Sequence, residues 1–346
     1  MNLSLKTAIA AASIFACCAF LLISSTRVHA NGGTGLLLVV NKMDSTLGMV
    51  DPEAGKQIAV IPVGGITGHE VAASPDGRTA WVPIYGDAGV GLPGTDGRTI
   101  SVIDLASRKV TATIDLGAPS RPHTIVFSAH NDKLTDKLYV TAEVTQSIKI
   151  IDPNSNKIIG SIPTGEPQSH MVAISSDGTR GYSMNAGSGT ISALDLQKHQ
   201  LIKIIPVAKT IQRIAISTDN RLVFTSDQTR PELDIIDTQT NTVTSRLPLQ
   251  NIGYGVTPTY DGSKLLIAHP SADTVSILDL HSMKIEKVIP VPKAPQEIVV
   301  RPDDQVAYVS CAGSKQIAVI NLASLKVEKL IAVGTGPDGL AWAPTK

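Results

Sequence analysis

Cysteine is scarce in this chain, with three in 346 residues. That number cannot build a disulfide-stapled scaffold, so stability must come from packing. Aromatic side chains are scarcer still at 3%, which leaves few stacking platforms for single-stranded nucleic acid. Neither sign of charge dominates: 30 Lys and Arg face 30 Asp and Glu. No basic field therefore points to nucleic acid, and no nucleic-acid partner is expected. No stretch of the chain sustains an apolar period of 3.6, so helix should be nearly absent. Several chemical signatures are also missing. There is no P-loop, no G-x-S-x-G nucleophile turn, no H-E-x-x-H and no C-x-x-C-H. Gly89, Gly91 and Gly94 match G-x-G-x-x-G, but Pro93 sits inside and no strand–helix unit surrounds them.

Long apolar runs occur once, at the start. Lys6 precedes an apolar stretch from Thr7 to Ile23, and Val28-His29-Ala30 offers small residues at the −3 and −1 positions before Asn31. Residues 1–30 thus read as a secretory signal peptide. A membrane anchor and lipid attachment at Cys17 are the competing readings. The run is shorter than the ~20 residues that span a bilayer, and it continues past Cys17. Cleavage would leave 28 basic and 30 acidic residues and one cysteine, Cys311. The expectation is an exported protein, periplasmic, extracellular or held at the cell envelope, with no membrane span after cleavage.

What the chain has in abundance is repetition. A unit recurs with an apolar-Asp anchor, a short polar stretch and an alternating apolar strand, often followed by Pro-x-Gly. Its anchors are Asp51, Asp104, Asp152, Asp195, Asp237, Asp279 and Asn321, spaced 53, 48, 43, 42, 42 and 42 residues apart. Each unit holds four short strand signals separated by Gly, Asp and Asn turns, as in His170–Ile174, Arg180–Met184, Thr190–Asp195 and Leu201–Val207. Four strands per ~42 residues is the size of a propeller blade. The chain opens on a second-strand signal, Leu36–Val40, and closes on a first-strand signal, Gly339–Ala343. The two should share one blade. The expected fold is all-β: a seven-bladed β-propeller of four-stranded antiparallel blades, one domain over residues 31–346, closed by its N- and C-terminal strands.

Leu138-Tyr139-Val140-Thr141-Ala142, Ile148 to Pro153, Ile162-Pro163-Thr164-Gly165, Ser74-Pro75-Asp76-Gly77 and Ala307-Tyr308-Val309-Ser310 resemble the YVTN-repeat, or YncE-like, β-propellers. The resemblance covers essentially all of the chain after residue 30. It implies the propeller fold. It leaves function open, since such relatives include exported proteins of unknown role, surface-layer proteins and distant lactonases and metalloenzymes.

Most of the recurring carboxylates read as scaffold. Asp76, Asp177, Asp219, Asp261 and Asp303 sit in Ser-Pro-Asp-Gly-like turns, where Asp bonds its own backbone two residues on. Cys311 reads as a small buried residue. One constellation stands apart. Five residues before the turn that follows each first strand, the units carry His69, His123, His170, Gln212, Tyr254, Gln296 and Asp338. In ring order Asp338, His69, His123 and His170 are neighbours. The next position adds Glu70, Arg213 and Glu297. Polar residues in all seven units predict a wet channel end. Three imidazoles and a carboxylate suit zinc or copper, so His69, His123, His170 and Asp338 are the candidate metal ligands. A polar pore without an ion, or an anion held by the imidazoles and Arg213, are the alternatives. The insertion from Gly86 to Gly97 belongs to a loop on the same face and could lid the mouth.

Two functions follow. One is a monomeric binding or scaffold module offering its His-rich mouth to a protein, a cell-envelope component, a small ligand or an ion. The other is a metal-assisted hydrolase, lactonase or lyase at the same mouth. Its catalytic candidates are Glu70 and Glu297 as general bases, with Arg213 beside them.

Overall fold

The computed structural model describes residues 33–128 and 136–345. The signal-peptide reading falls outside them. Among the described residues the chain forms seven four-stranded antiparallel sheets and a single short 3-10 turn, Lys42–Asp44. This is the expected propeller. We number the blades so that blade 1 holds Gly35–Asn41, Thr46–Asp51 and Lys56–Pro62, with the terminal strand Pro337–Pro344 as its innermost member. Leu37 pairs with Trp342 and Leu38 with Ala341, closing the ring. The inner strands of blades 2–7 are Ala72–Ala73, Pro122–Ser128, Ser169–Ile174, Ile211–Ile216, Val256–Pro258 and Pro295–Val300. No helix among the described residues is long and apolar enough to cross a membrane.

The burial pattern follows from the ring. The two middle strands of a blade are covered on both faces by neighbouring blades, so Thr190–Asp195 and Lys264–His269 are buried almost throughout. The outer strands, such as Lys157–Pro163, are largely exposed and carry Lys, Ser and Gly among their apolar residues. Leu38, Val40, Leu47 and Met49 of blade 1 pack with Ala80, Val82 and Ile103 of blade 2. Burying a side chain of this size contributes about 1.5–3 kcal/mol. Repeated around the ring, such contacts take the place of disulfides.

The turn carboxylates do what their spacing implies. Asp177 accepts from Thr179 N at 2.9 Å and Asp303 from Gln305 N at 3.1 Å. The anchor residues act alike: Asp104 accepts from Ser107 N at 2.7 Å and Asp279 from Ser282 N at 2.6 Å.

The inner strands are where regularity fails. In blades 1, 3, 4, 5 and 7 the ladder slips between the inner strand and its neighbour, each time at the ring position or its successor. In blade 2 only Ala72 and Ala73 pair regularly, and His69 and Glu70 lie between them and an isolated bridge at Gly68. A bulge leaves a residue unpaired and re-aims its side chain. Here it lets two successive residues serve the axis.

Candidate functional site

The propeller axis gathers residues singled out from the repeat in two groups. One group centres on Arg213, a residue of blade 5 held at φ 60° and 2% exposed. Positive φ is costly for a long side chain and persists where the surroundings over-determine it. They do so here. Arg213 Nη1 is paired with Glu70 and lies 2.7 Å from Glu297 Oε2, while Nη2 donates to Asp338 Oδ1 at 2.9 Å. The guanidinium also lies 5.1 Å from the centroid of the Tyr254 ring. One cation from blade 5 thus reaches across the axis to carboxylates of blades 1, 2 and 7.

His69, Glu70, His123, His170, Arg213 and Asp338 are buried, while Gln212, Tyr254, Gln296 and Glu297 are half-buried, and the paired guanidinium forms a floor. Three carboxylates crowd a single guanidinium in a place shielded from water. Burial pushes Glu70 up to about 8, against the pull of Arg213. Glu297 is raised for the same reason. Arg213 uses Nη1 and Nη2 on these carboxylates, while its buried Nε has no partner in the chain.

Above the floor, the imidazoles meet in sequence around the ring. His69 Nδ1 lies 3.2 Å from His123 Nε2, with the ring planes at 65°. His123 and His170 face each other ring on ring, centroids 3.6 Å apart. Asp338 Oδ2 stands 3.8 Å from His69 Nδ1 and 3.9 Å from Lys42 Nζ. The three histidines therefore cluster, but they do not aim at one centre. Among the described residues no three His, Cys, Asp or Glu side chains are already set around a common point for a metal ion. Burial drives His69 down to about 2, helped by Lys42, and His123 well below its ordinary value, helped by His170. Both rings are neutral at physiological pH.

Four residues escaped the repeat reading. Glu143, 4% exposed, is paired with His170 Nδ1 through one oxygen and accepts from Tyr85 Oη at 2.9 Å through the other. Arg121 lies 5.8 Å from the Tyr85 ring centroid. Lys42 reaches Asp338 from blade 1. A signal for three of them exists in the sequence. Leu38, Trp81 and Tyr139 hold equivalent places on second strands, opposite Ala341, Ala72 and Val126. Four residues on from them stand Lys42, Tyr85 and Glu143, one step past the loop-start positions of Asn185, Asp227 and His269. Those loop starts are structural: His269, for example, bonds Ile252 O at 3.1 Å and Ser276 Oγ at 2.7 Å. Cys311 is fully buried, and burial pushes its thiol up to about 12, as suits an inert core residue.

The inserted loop lies beside this cluster. Arg121 donates to Leu92 O at 2.7 Å and Gly89 O at 3.4 Å, and pairs with Asp96. A cleft of ≈ 400 Å³ opens between Gly91, Leu92 and Pro93 on one side and Arg121, Glu143 and Gln168 on the other. A second cleft, ≈ 390 Å³, is lined by Lys42, Gln296, Gly336 and Asp338. Within the ring itself, the buried Gln212 Oε1 finds no donor in the chain.

No protein-family model matches the chain, and no curated protein matches it significantly. Solved structures do. Hydrazine synthase of Kuenenia stuttgartiensis aligns with TM-score 0.71 at 18% identity, over 87% of this chain and 99% of that one. A functionally unknown protein from Desulfotomaculum acetoxidans DSM 771 aligns with TM-score 0.71 at 14% identity, over 90% and 100%. At these identities the likeness shows the shared propeller architecture and nothing of the activity.

Proposed function

We propose that this protein is an exported binding module, akin to the YVTN-repeat propellers, that offers the mouth of its axial site to a small ligand or ion. One observation carries the reading. Residues of four neighbouring blades, Asp338, His69, His123 and His170, gather on the floor closed by Arg213, in a ring where Gln212 keeps an unpartnered acceptor. A polar cluster of this depth is costly unless something uses it. The catalytic reading is weaker because Glu70 and Glu297 both pair with Arg213.

A thermal-shift screen tests this. Divalent metals, small carboxylates, amino acids, sugars and lactones are offered to the protein and to His123→Ala. A ligand at 100 times its Kd should add about 2.7 kcal/mol of stability, in the parent protein only. Turnover of a lactone or ester would overturn the non-catalytic reading. Shifts that persist in the variant would overturn the site.

A further inference from the structure

We infer that the mouth takes a free α-amino acid with an apolar side chain, its ammonium on Asp338 Oδ2 and its carboxylate on Lys42 Nζ. This rests on the binding-module reading and gives its ligand a chemical class.

Two opposite charges stand side by side at the mouth with hydrogen-bonding capacity left over. Asp338 accepts from Arg213 Nη2 through Oδ1 at 2.9 Å. Its Oδ2 has no partner that close: His69 Nδ1 stands 3.8 Å away and Lys42 Nζ 3.9 Å. Both distances exceed hydrogen-bond reach. His69 Nδ1 lies nearer to His123 Nε2, at 3.2 Å, so its bond goes there and not to the carboxylate. Lys42 Nζ has no closer acceptor among the described residues. A carboxylate oxygen that lacks a donor and an ammonium that lacks an acceptor therefore face the same cleft of ≈ 390 Å³.

Backbone bonds place both groups. Lys42 N donates to Gly336 O at 3.0 Å, Met43 N to Thr335 O at 3.2 Å, and Thr335 N to Asp44 Oδ2 at 2.6 Å. The turn that carries Lys42 is thus laced to the approach of the strand that carries Asp338, which holds the two charges at this spacing.

An α-amino acid matches that spacing. By covalent geometry its nitrogen and a carboxylate oxygen lie roughly 2.7–3.5 Å apart. Laid antiparallel against a cation and an anion 3.9 Å apart, both of its charges meet their opposites at once, in charge-assisted bonds. An anion such as phosphate would be repelled by Asp338, and a bare cation by Lys42. The rest of the lining suits a small side chain. Met43, Ala312 and Pro337 form an apolar wall, and Met43 is 71% exposed, so a ligand's apolar group would cover it. Gln296 also lines the cleft. Its Nε2 donates to Ala294 O at 3.4 Å, which leaves its carbonyl oxygen for the ammonium. The volume lies at the small end of ligand pockets.

L-Leucine is the probe, titrated into the purified protein by isothermal calorimetry. One equivalent should bind. Leucinamide lacks the carboxylate and N-acetyl-leucine lacks the ammonium, and each should bind about 10-fold more weakly or worse, as expected for a lost charge-assisted bond. These comparisons need no variant and hold even where substitutions impair folding. Lys42→Gln should lower the affinity for leucine by about 10-fold and leave that for leucinamide unchanged. Asp338→Asn should weaken leucine and leave N-acetyl-leucine unchanged. His123→Ala should weaken leucine too, because His69 Nδ1 can then bond Asp338 Oδ2 in the ligand's place. Equal affinity for leucine and its two analogues would overturn the paired charges. Unchanged leucine affinity in Lys42→Gln would overturn the assigned cleft. Failure of the parent protein to bind either leucine or glycine would overturn the amino acid. In that case a His123-dependent thermal shift with another ligand class would leave the binding module standing, whereas no shift at all would end both.

Discussion

At the scale of single residues, the axial floor is an electrostatic compromise with a measurable consequence. Arg213 faces Glu70, Glu297 and Asp338, and burial holds Glu70 at about 8. An unfolded chain would release that proton near 4.5. Between those pH values the folded protein binds more protons than the unfolded one, so this group makes stability fall as pH rises from about 5 to 8. Glu70→Gln keeps a neutral side chain of the same shape. It should flatten the slope of melting temperature against pH in that window and raise stability at pH 8 by on the order of a few kcal/mol at most. An unchanged slope would show that another group carries the proton. The identity of these residues was readable from the repeat, since they occupy the first-strand position and its successor. That they form a closed ion-paired floor was not readable. Reach across the axis depends on where Arg213 points, and that is decided by a bulge and a φ of 60°.

At the scale of elements, the loop inserted in blade 2 and the inner strands matter most. The insertion was visible as Gly86 to Gly97, and a lid was one reading of it. In the structure it is pinned by Arg121 through two carbonyls and Asp96. Nothing local to Gly-rich sequence could reveal a clamp supplied by the next blade. Arg121→Ala should release residues 87–95 without unfolding the ring. Their amide hydrogen exchange should accelerate by ~10-fold or more, while the blade strands keep their protection. Equal protection in the variant would show the loop to be held by its own turns. Tyr85 and Glu143 were missed at this same scale, because the loop-start position was read one residue too early. Glu143 comes just past the last ladder pair, and Tyr85 at the slip between Ile84 and Gly86.

For the whole molecule, closure is the governing feature. The strand Pro337–Pro344 completes blade 1 against Gly35–Asn41. Trp342 stacks on Tyr308 of blade 7 with centroids 5.8 Å apart. Removing residues 339–346 takes away this strand and uncovers an edge beside Gly35–Asn41. It also detaches Asp338 from its backbone support at the axis. We expect the truncated protein to melt several degrees lower and to aggregate on heating. A melting temperature equal to that of the full chain would show that the ring does not depend on its clasp.

The spacing of anchors, the four strand signals per unit and the split blade were enough to determine the fold from sequence. A propeller is close to a one-dimensional array whose core packing is between neighbouring blades, so local period dictates global form. Sequence also named the residues that ring the axis, because repeat position sets depth and face. Tertiary structure alone decided how those residues use one another. It tied Glu70, Glu297 and Asp338 to Arg213, set His69 and His123 nitrogen to nitrogen, and paired His170 with Glu143. Those outcomes depend on angles between blades and on unpaired residues in bulges. Neither leaves a period in the sequence, since both arise only when the ring closes and side chains from distant repeats compete for the same few ångströms at its centre.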